Sequence, residues 1–176
     1  MHYDLRLRPP QPATPGPDAF TIHRREVPPS ENRDGLSLAF VHEGPTDGAG
    51  YPLLLLHGYP ETKRIWWRNI TALAEAGYEV IAPDLRGYGD SDVSTADVYD
   101  LAAWSRDVYL LVHDVLGHDR CGVVGGDLGG AVAVDLLHRF PGFVEKLVFF
   151  DSVPPFVFKD FEAAVNVPGD AHNRCP

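Results

Sequence analysis

Short apolar runs alternate with amphipathic segments from residue 36 onward, and this alternation limits the possible folds severely. Five runs predict strands, at residues 36–42, 52–56, 79–82, 121–124 and 144–150. The segments between them predict helices, at residues 63–75, 101–116 and 130–140. Near-continuous apolar runs suit strands that are buried on both faces. The pattern therefore predicts an α/β fold, with a mostly parallel sheet and helices on both of its faces.

The ends of the chain do not follow this pattern. Prolines crowd the first 30 positions, at Pro9, Pro10, Pro12, Pro15, Pro17, Pro28 and Pro29. Such a stretch predicts an extended arm rather than packed structure. After Asp151 the alternation degrades. We therefore expect a Pro-rich arm over residues 1–34, an α/β core over 35–152, and the start of a further region over 153–176.

Charge and composition exclude several classes of protein. The chain contains 15 Lys and Arg and 25 Asp and Glu, which gives a net charge of −10. A nucleic-acid partner is therefore not expected. No run approaches the roughly 20 apolar residues of a membrane helix, and the first residues are polar. Cys121 and Cys175 are too few for a disulfide framework or a thiolate zinc site. We expect a soluble, cytoplasmic protein without a metal or cofactor.

The strongest chemical signal is Gly125-Gly126-Asp127-Leu128-Gly129-Gly130, between a predicted strand and a predicted helix. This is the pattern of a nucleophile elbow, in which small neighbours allow a sharp turn that projects the central side chain above the sheet. A phosphate-binding loop is disfavoured, because the G-x-x-x-x-G-K-[ST] order is missing and a carboxylate would repel phosphate. A purely structural tight turn is the other alternative.

An Asp at the centre of the elbow implies a particular chemistry. The Asp127 carboxylate is ionised at neutral pH, so it can displace a leaving group from an sp³ carbon without an activating base. The N-terminus of the following helix favours the anion. The expected product is an alkyl ester of Asp127, which a base-activated water would then cleave.

A second motif, His57-Gly58-Tyr59-Pro60, follows the strand predicted at 52–56. A tetrahedral intermediate at the Asp127 carboxyl carbon needs two backbone donors. We expect one from the N–H of Leu128 and the other from the N–H of Tyr59, which together would form an oxyanion hole. His57, Gly58 and Pro60 are expected to shape the loop.

A third motif runs from Asp84 to Asp92 and contains three Asp residues. It lacks the D-x-[DN]-x-[DN]-G order and the distal Glu of a calcium loop, so it predicts a structural loop. His113, His118 and His138 lie on or beside predicted helices, where surface or capping roles are expected. None of them is an obvious general base.

These three motifs in this order resemble the α/β-hydrolase superfamily over about residues 36–155, and within it the branch with an Asp nucleophile. That branch contains epoxide hydrolases, haloalkane dehalogenases and fluoroacetate dehalogenases. The resemblance implies that Asp151, 24 residues after Asp127, is the acid of the triad. This spacing is that of the dehalogenases, whereas epoxide hydrolases more often carry the acid after a later strand. A strand-end Asp that makes local turn hydrogen bonds is the alternative.

The choice of subfamily depends on hydrogen-bond donors. Haloalkane dehalogenases place a Trp directly after the nucleophile, where Leu128 offers no side-chain donor. Fluoroacetate dehalogenases place Arg residues there, and this chain has Leu128 and Ala131. An aromatic in H-G-x-P is common among epoxide hydrolases, and Tyr59 fits. The resemblance therefore implies an epoxide hydrolase-like enzyme for a small hydrophobic epoxide, with a haloalkane dehalogenase-like enzyme and a truncated, non-catalytic interaction protein as the alternatives.

The histidine that activates water follows the cap and later strands in this family. His172 is the one histidine after Asp151, and its polar surroundings lack the expected flanking strand. We therefore expect the cap and the catalytic His on a second, complementing polypeptide. A truncated, inactive product is the alternative.

Overall fold

The computed structural model describes residues 13–29, 34–45 and 49–152. The strands in this part of the chain are β1 (Ile22–Val27), β2 (Leu36–Glu43), β3 (Tyr51–Leu56), β4 (Tyr78–Pro83), β5 (Cys121–Gly126) and β6 (Val144–Phe150). They form one sheet in the order β1-β2-β4-β3-β5-β6. The pairs β4–β3, β3–β5 and β5–β6 are parallel, and β1–β2 and β2–β4 are antiparallel. The prediction of a mostly parallel sheet is confirmed.

The helices are α1 (Trp67–Glu75), α2 (Leu101–Tyr109) and α3 (Leu128–Arg139). A 3₁₀ turn over Lys63–Trp66 leads into α1, and α2 continues as a π-helical turn over Leu110–Val115. The side chain of Asp100 begins α2 by accepting a hydrogen bond from the N–H of Ala103 at 2.7 Å. Each helix lies within a segment predicted to be helical, apart from the first two residues of α3.

Helices cover both faces of the sheet. On one face, α2 and α3 pack Val108 and Leu136 against β3 and β5. On the other face, α1 packs Trp67 and Ile70 against Val80 of β4. Both clusters are shielded from water, so the central strands are buried on two sides, as their continuous apolar runs predict.

The expectation of an unpacked arm over residues 1–34 is wrong for residues 22–27. These residues form β1, which pairs with β2 from Ile22 opposite Val41 to Val27 opposite Leu36. Val27 is only 1% exposed. The strand has no apolar run because it lies at the edge of the sheet, where most of its side chains meet solvent. Pro9, Pro10 and Pro12 lie outside the described residues.

Asp34, at the end of the expected arm, also belongs to the packed structure. Its carboxylate pairs with Arg86, 3.1 Å away, and Arg86 also pairs with Asp107 at 2.6 Å. Partial burial opposes ionisation of Asp34, but hydrogen bonds from Ser94 and Thr95 outweigh it and hold the pKa of Asp34 well below its usual range. The arm is therefore joined to the core by an ion-pair network as well as by β1.

The parallel strands place several loops at one edge of the sheet. β3 ends before His57, β4 before Asp84, β5 before Asp127 and β6 before Asp151. Because the carboxyl ends of parallel strands meet at the same edge, the three sequence motifs and Asp151 come together there. No helix in the described part of the chain is long and apolar enough to cross a membrane.

Candidate active site

Asp127 lies in a sharp turn between β5 and α3. Its backbone has φ 51° and ψ −120°, a conformation that costs energy for a residue with a side chain. The turn is held by the N–H of Asp127, which donates to the carbonyl of Phe150, and by the N–H of Gly130, which donates to the carbonyl of Asp127. Strain at the centre of a strand-turn-helix is what a nucleophile elbow requires.

Two glycines of the motif are needed because backbone atoms approach them closely. A Cβ added at Gly125 would lie 2.4 Å from the carbonyl oxygen of Gly129. A Cβ at Gly129 would lie 2.4 Å from the carbonyl oxygen of Leu56 and 2.6 Å from that of His57. These distances are shorter than a real Cβ contact, and the atoms met are backbone atoms, so the elbow fits this space only with glycine at both positions.

The Asp127 side chain is exposed and accepts hydrogen bonds from two backbone donors. The N–H of Tyr59 lies 2.9 Å from its Oδ1. The N–H groups of Tyr59 and Leu128 together lower the pKa of Asp127, with Tyr59 contributing more. The two donors named from the sequence therefore meet at the carboxylate, which they keep anionic.

The loop after β3 is held by His57, which is 1% exposed. Its Nδ1 lies 2.9 Å from the carbonyl oxygen of Gly58, and the N–H of Leu85 donates to its Nε2 at 3.0 Å. Burial lowers the pKa of His57. Because both ring nitrogens are engaged, His57 does not offer a free base to the site. Pro60 follows Tyr59 through a cis peptide bond.

A cavity of about 70 Å³ lies beside Asp127. Its walls are Leu56, His57, Gly58, Glu61, Ile65, Trp66, Gly126, Asp127, Phe150 and Asp151. Trp66 and Phe150 meet edge to face, with ring centroids 6.3 Å apart. The cavity walls thus combine apolar side chains with the carboxyl groups of Glu61, Asp127 and Asp151.

Sequence reasoning assigned no site role to five lining residues: Leu56, Glu61, Ile65, Trp66 and Phe150. Trp66 was identified only as part of the helix predicted at residues 63–75. Its indole nitrogen is nevertheless buried and has no acceptor within the described residues, whereas those of Trp67 and Trp104 donate to backbone carbonyls. The sequence signal for Glu61 was its position three residues after Gly58, within the same turn.

Asp151 also lines this cavity, directly after β6 and with a φ of 51°. The structure therefore brings Asp127 and Asp151 to one site. Within the described residues, His57 is the only histidine in its wall. His172 lies outside the described residues.

The other sequence candidates lie elsewhere or serve the fold. Asp84 accepts from the backbone N–H of Lys63 at 2.7 Å and from its Nζ at 2.5 Å, and both side chains are fully buried. His118 contacts Glu79 at 3.0 Å and His113 contacts Asp114 at 2.6 Å. Residues 13–29, 34–45 and 49–152 contain no group of three or more His, Cys, Asp or Glu side chains that could hold a metal.

Comparison with known proteins identifies the family. The model of the alpha/beta hydrolase fold family matches residues 51–171. A soluble epoxide hydrolase of Corynebacterium sp. (strain C12) is 44% identical over 112 residues, which are 64% of this chain and 38% of that protein. Epoxide hydrolase 4 of Mus musculus is 35% identical over 131 residues, 72% of this chain and 34% of that protein. The crystal structure of Epoxide Hydrolase A from Mycobacterium thermoresistibile superimposes with a TM-score of 0.64 at 32% identity, covering 84% of this chain and 46% of that one.

The chain belongs to the α/β-hydrolase superfamily, and its relatives include epoxide hydrolases. The fold class expected from the sequence is confirmed. The chain spans less than half the length of these relatives.

Proposed function

We propose that this chain carries the nucleophile half of an epoxide hydrolase. Asp127 attacks one carbon of a small hydrophobic epoxide and the C–O bond to that carbon breaks. The ring oxygen stays on the other carbon and becomes a hydroxyl by taking a proton from water or from an acid of the cap, and an alkyl ester of Asp127 forms. A base then takes a proton from water, which adds to the carboxyl carbon of the ester. The tetrahedral intermediate collapses, the alkyl oxygen takes that proton and leaves as the second hydroxyl of a diol, and the carboxylate of Asp127 is regenerated. The hydrogen bond from Tyr59 N–H to Asp127 Oδ1 carries this proposal.

The hydrogen bonds to Asp127 suit both steps of the reaction. In the first step they hold the carboxylate anionic, with the pKa of Asp127 below its usual range, so that it attacks without a base. In the second step the negative charge moves to an oxygen of the tetrahedral intermediate. Donors already in place on Asp127 can stabilise that charge without reorganisation. The N–H groups of Tyr59 and Leu128 are the oxyanion hole of this proposal.

An epoxide is favoured as substrate by what surrounds the nucleophile. Leu128 and Ala131 provide no side-chain donor for a halide or a carboxylate beside Asp127. Leu56, Ile65, Trp66 and Phe150 give the cavity an apolar wall that suits a hydrophobic substrate. The named relatives that are epoxide hydrolases support the same class.

Completion of the cycle needs a base for water. Within the described residues, His57 is the only histidine in the cavity wall, and both of its ring nitrogens are engaged. In this proposal the base is therefore a His on a further polypeptide segment, which also supplies the cap. Asp151, which shares the cavity with Asp127, would orient that His by accepting its second N–H. Copurification of a polypeptide that carries a strand-end His would support this part, and full turnover by the purified chain alone would contradict it.

The covalent intermediate provides the direct test. We expect the chain, incubated with a hydrophobic epoxide such as styrene oxide, to gain the mass of one epoxide on Asp127. We expect the ester to persist, because His57, the histidine of the described cavity wall, has both ring nitrogens engaged and cannot activate water. Intact-mass spectrometry followed by peptide mapping measures this. Asp127→Asn is the matched control, since it keeps the size of the side chain and removes the nucleophile. Absence of the adduct in the unsubstituted chain would contradict the proposal, and halide release from a haloalkane without epoxide addition would reassign the substrate class.

A further inference from the structure

The peptide group between Gly58 and Tyr59 carries the N–H that reaches Asp127. In a trans peptide the carbonyl and the N–H point in opposite directions, so bonds that hold the carbonyl also direct the N–H. Two donors hold this carbonyl: the Nδ1 of His57 at 2.9 Å and the backbone N–H of Glu61 at 3.1 Å. The two hydrogen bonds to the Gly58 carbonyl therefore fix the orientation of the Tyr59 N–H, which points the opposite way, toward Asp127.

The protonation of His57 follows from its two partners. The carbonyl oxygen of Gly58 can only accept, so Nδ1 carries the proton. The N–H of Leu85 donates to Nε2, so Nε2 is unprotonated. His57 is thus a neutral imidazole in one tautomer, consistent with its burial and lowered pKa. This ring connects the loop after β4 to the peptide that faces Asp127.

Glu61 holds the same turn through its side chain. Its Oε2 accepts from the N–H of Gly58 at 3.0 Å, while its backbone N–H donates to the carbonyl of Gly58. Glu61 therefore binds both polar groups of Gly58. The turn also lies very close to the nucleophile: a Cβ added at Gly58 would be 2.7 Å from the Cβ of Asp127.

We propose that Glu61 and His57 are positioning residues. By binding the polar groups of Gly58, they hold the Gly58–Tyr59 peptide so that the Tyr59 N–H is directed at Asp127. Their effect on the nucleophile passes through Tyr59. The catalytic consequence rests on the function proposed above, whereas the effect on the Asp127 carboxylate does not.

Glu61 provides the sharper test, because an amide can replace its carboxylate as acceptor. In Glu61→Gln the side-chain oxygen can still accept from Gly58 N–H, and in Glu61→Ala that acceptor is lost. We expect Glu61→Ala to raise the pKa of Asp127 toward the ordinary 3.8. We also expect it to slow ester formation about tenfold or more, because the carboxylate is then no longer held in one orientation for attack on the epoxide. We expect Glu61→Gln to stay within about threefold of the unsubstituted rate.

Two measurements separate positioning from a merely structural role. The Asp127 pKa is followed by NMR titration of ¹³C-labelled carboxylates, with Asp127→Asn to assign the signal, and the ester rate is followed by mass spectrometry. Glu26→Ala on β1, an exposed position, is the matched control and should change neither quantity. Urea unfolding verifies that each variant is folded.

The outcomes are distinct. An unchanged Asp127 pKa in folded Glu61→Ala would overturn the positioning role. If Glu61→Gln and Glu61→Ala changed the Asp127 pKa and the rate of ester formation equally, the hydrogen-bond argument would be overturned. The loss of the negative charge of Glu61 would then be the cause of both changes. If Glu61→Ala does not fold, His57→Asn is measured in the same two ways, and an unchanged Asp127 pKa there also overturns the proposal. If the unsubstituted chain forms no ester but the pKa changes as expected, the proposed function fails and the positioning inference stands.

Discussion

The backbone N–H of Tyr59 lies 2.9 Å from Oδ1 of Asp127, although the two residues are 68 positions apart in the chain. The contact exists because β3 and β5 are parallel neighbours whose carboxyl ends coincide. One donor thus comes from the loop after β3 and the other, Leu128, from the first turn of α3. The position of both donors relative to Asp127 therefore depends on the adjacent strands β3 and β5.

The pH dependence of ester formation should reflect the lowered pKa of Asp127. A carboxylate whose pKa is below 3.8 remains ionised through the mildly acidic range. We expect the rate of adduct formation not to decline between pH 8 and pH 5, and to fall only when the pH approaches or passes below 3.8. Quenched-flow mass spectrometry, corrected with Asp127→Asn for non-specific addition, measures it. A decline between pH 7 and pH 5 would show that another group must lose a proton first.

Gly129→Ala should disrupt the elbow. The added Cβ would lie 2.4 Å from the carbonyl oxygen of Leu56, and this backbone belongs to a central strand that cannot give way. We expect a loss of about 3 kcal/mol in the free energy of unfolding, measured by urea denaturation. Gly16→Ala is the control, because a Cβ there meets nothing within 4 Å. Equal stabilities of the two variants would contradict this account.

Lys63→Met should destabilise the fold strongly. Lys63 is fully buried, and its removal leaves the buried carboxylate of Asp84 without its cation. We expect a loss of about 3 to 5 kcal/mol in the free energy of unfolding. Arg120→Met is the matched control: Arg120 pairs with Glu145 on the surface, where such a pair contributes about 1 kcal/mol or less. Similar losses for both variants would mean that burial of the Lys63 pair has no special effect.

His57 should make the protein less stable in mild acid. Burial lowers its pKa in the folded state, so the unfolded chain takes up a proton near the ordinary pKa of 6.5 while the folded chain does not. The stability contribution is complete above pH 6.5 and is lost as the pH falls toward the folded-state pKa. We expect the free energy of unfolding to fall more between pH 7.5 and pH 5 in the unsubstituted chain than in His57→Asn. An identical pH dependence would show that His57 titrates alike in both states.

The sequence predicted the α/β architecture because continuous apolar runs and amphipathic spacing are local properties. The same holds for the elbow, since the glycines around Asp127 are a local requirement of the turn. The edge strand Ile22–Val27 escaped prediction, because a strand that buries little of its side-chain surface carries no apolar run. Its partner β2 supplies the hydrogen bonds that make it a strand.

The residues around the nucleophile also fall into two groups, those identifiable from sequence motifs and those identifiable only in the folded chain. Asp127, Leu128 and the His57–Pro60 turn were identifiable from motifs whose members are adjacent in the chain. Trp66, Phe150 and Asp34 carry no such motif, and their roles arise from elements that meet only in the folded chain. Glu61 lies close to the motif, but its role depends on which backbone groups its carboxylate reaches.

By itself, the sequence determined the strand–helix alternation and the identity of the candidate nucleophile, because both depend on neighbouring residues and backbone sterics. Only the tertiary structure decided which groups hold the Tyr59 N–H against Asp127 and that His57 is neutral with both nitrogens engaged. It also decided that the first 34 residues contribute a strand and an ion pair. Those properties depend on distances between segments far apart in the chain, which packing of the sheet and its helices sets.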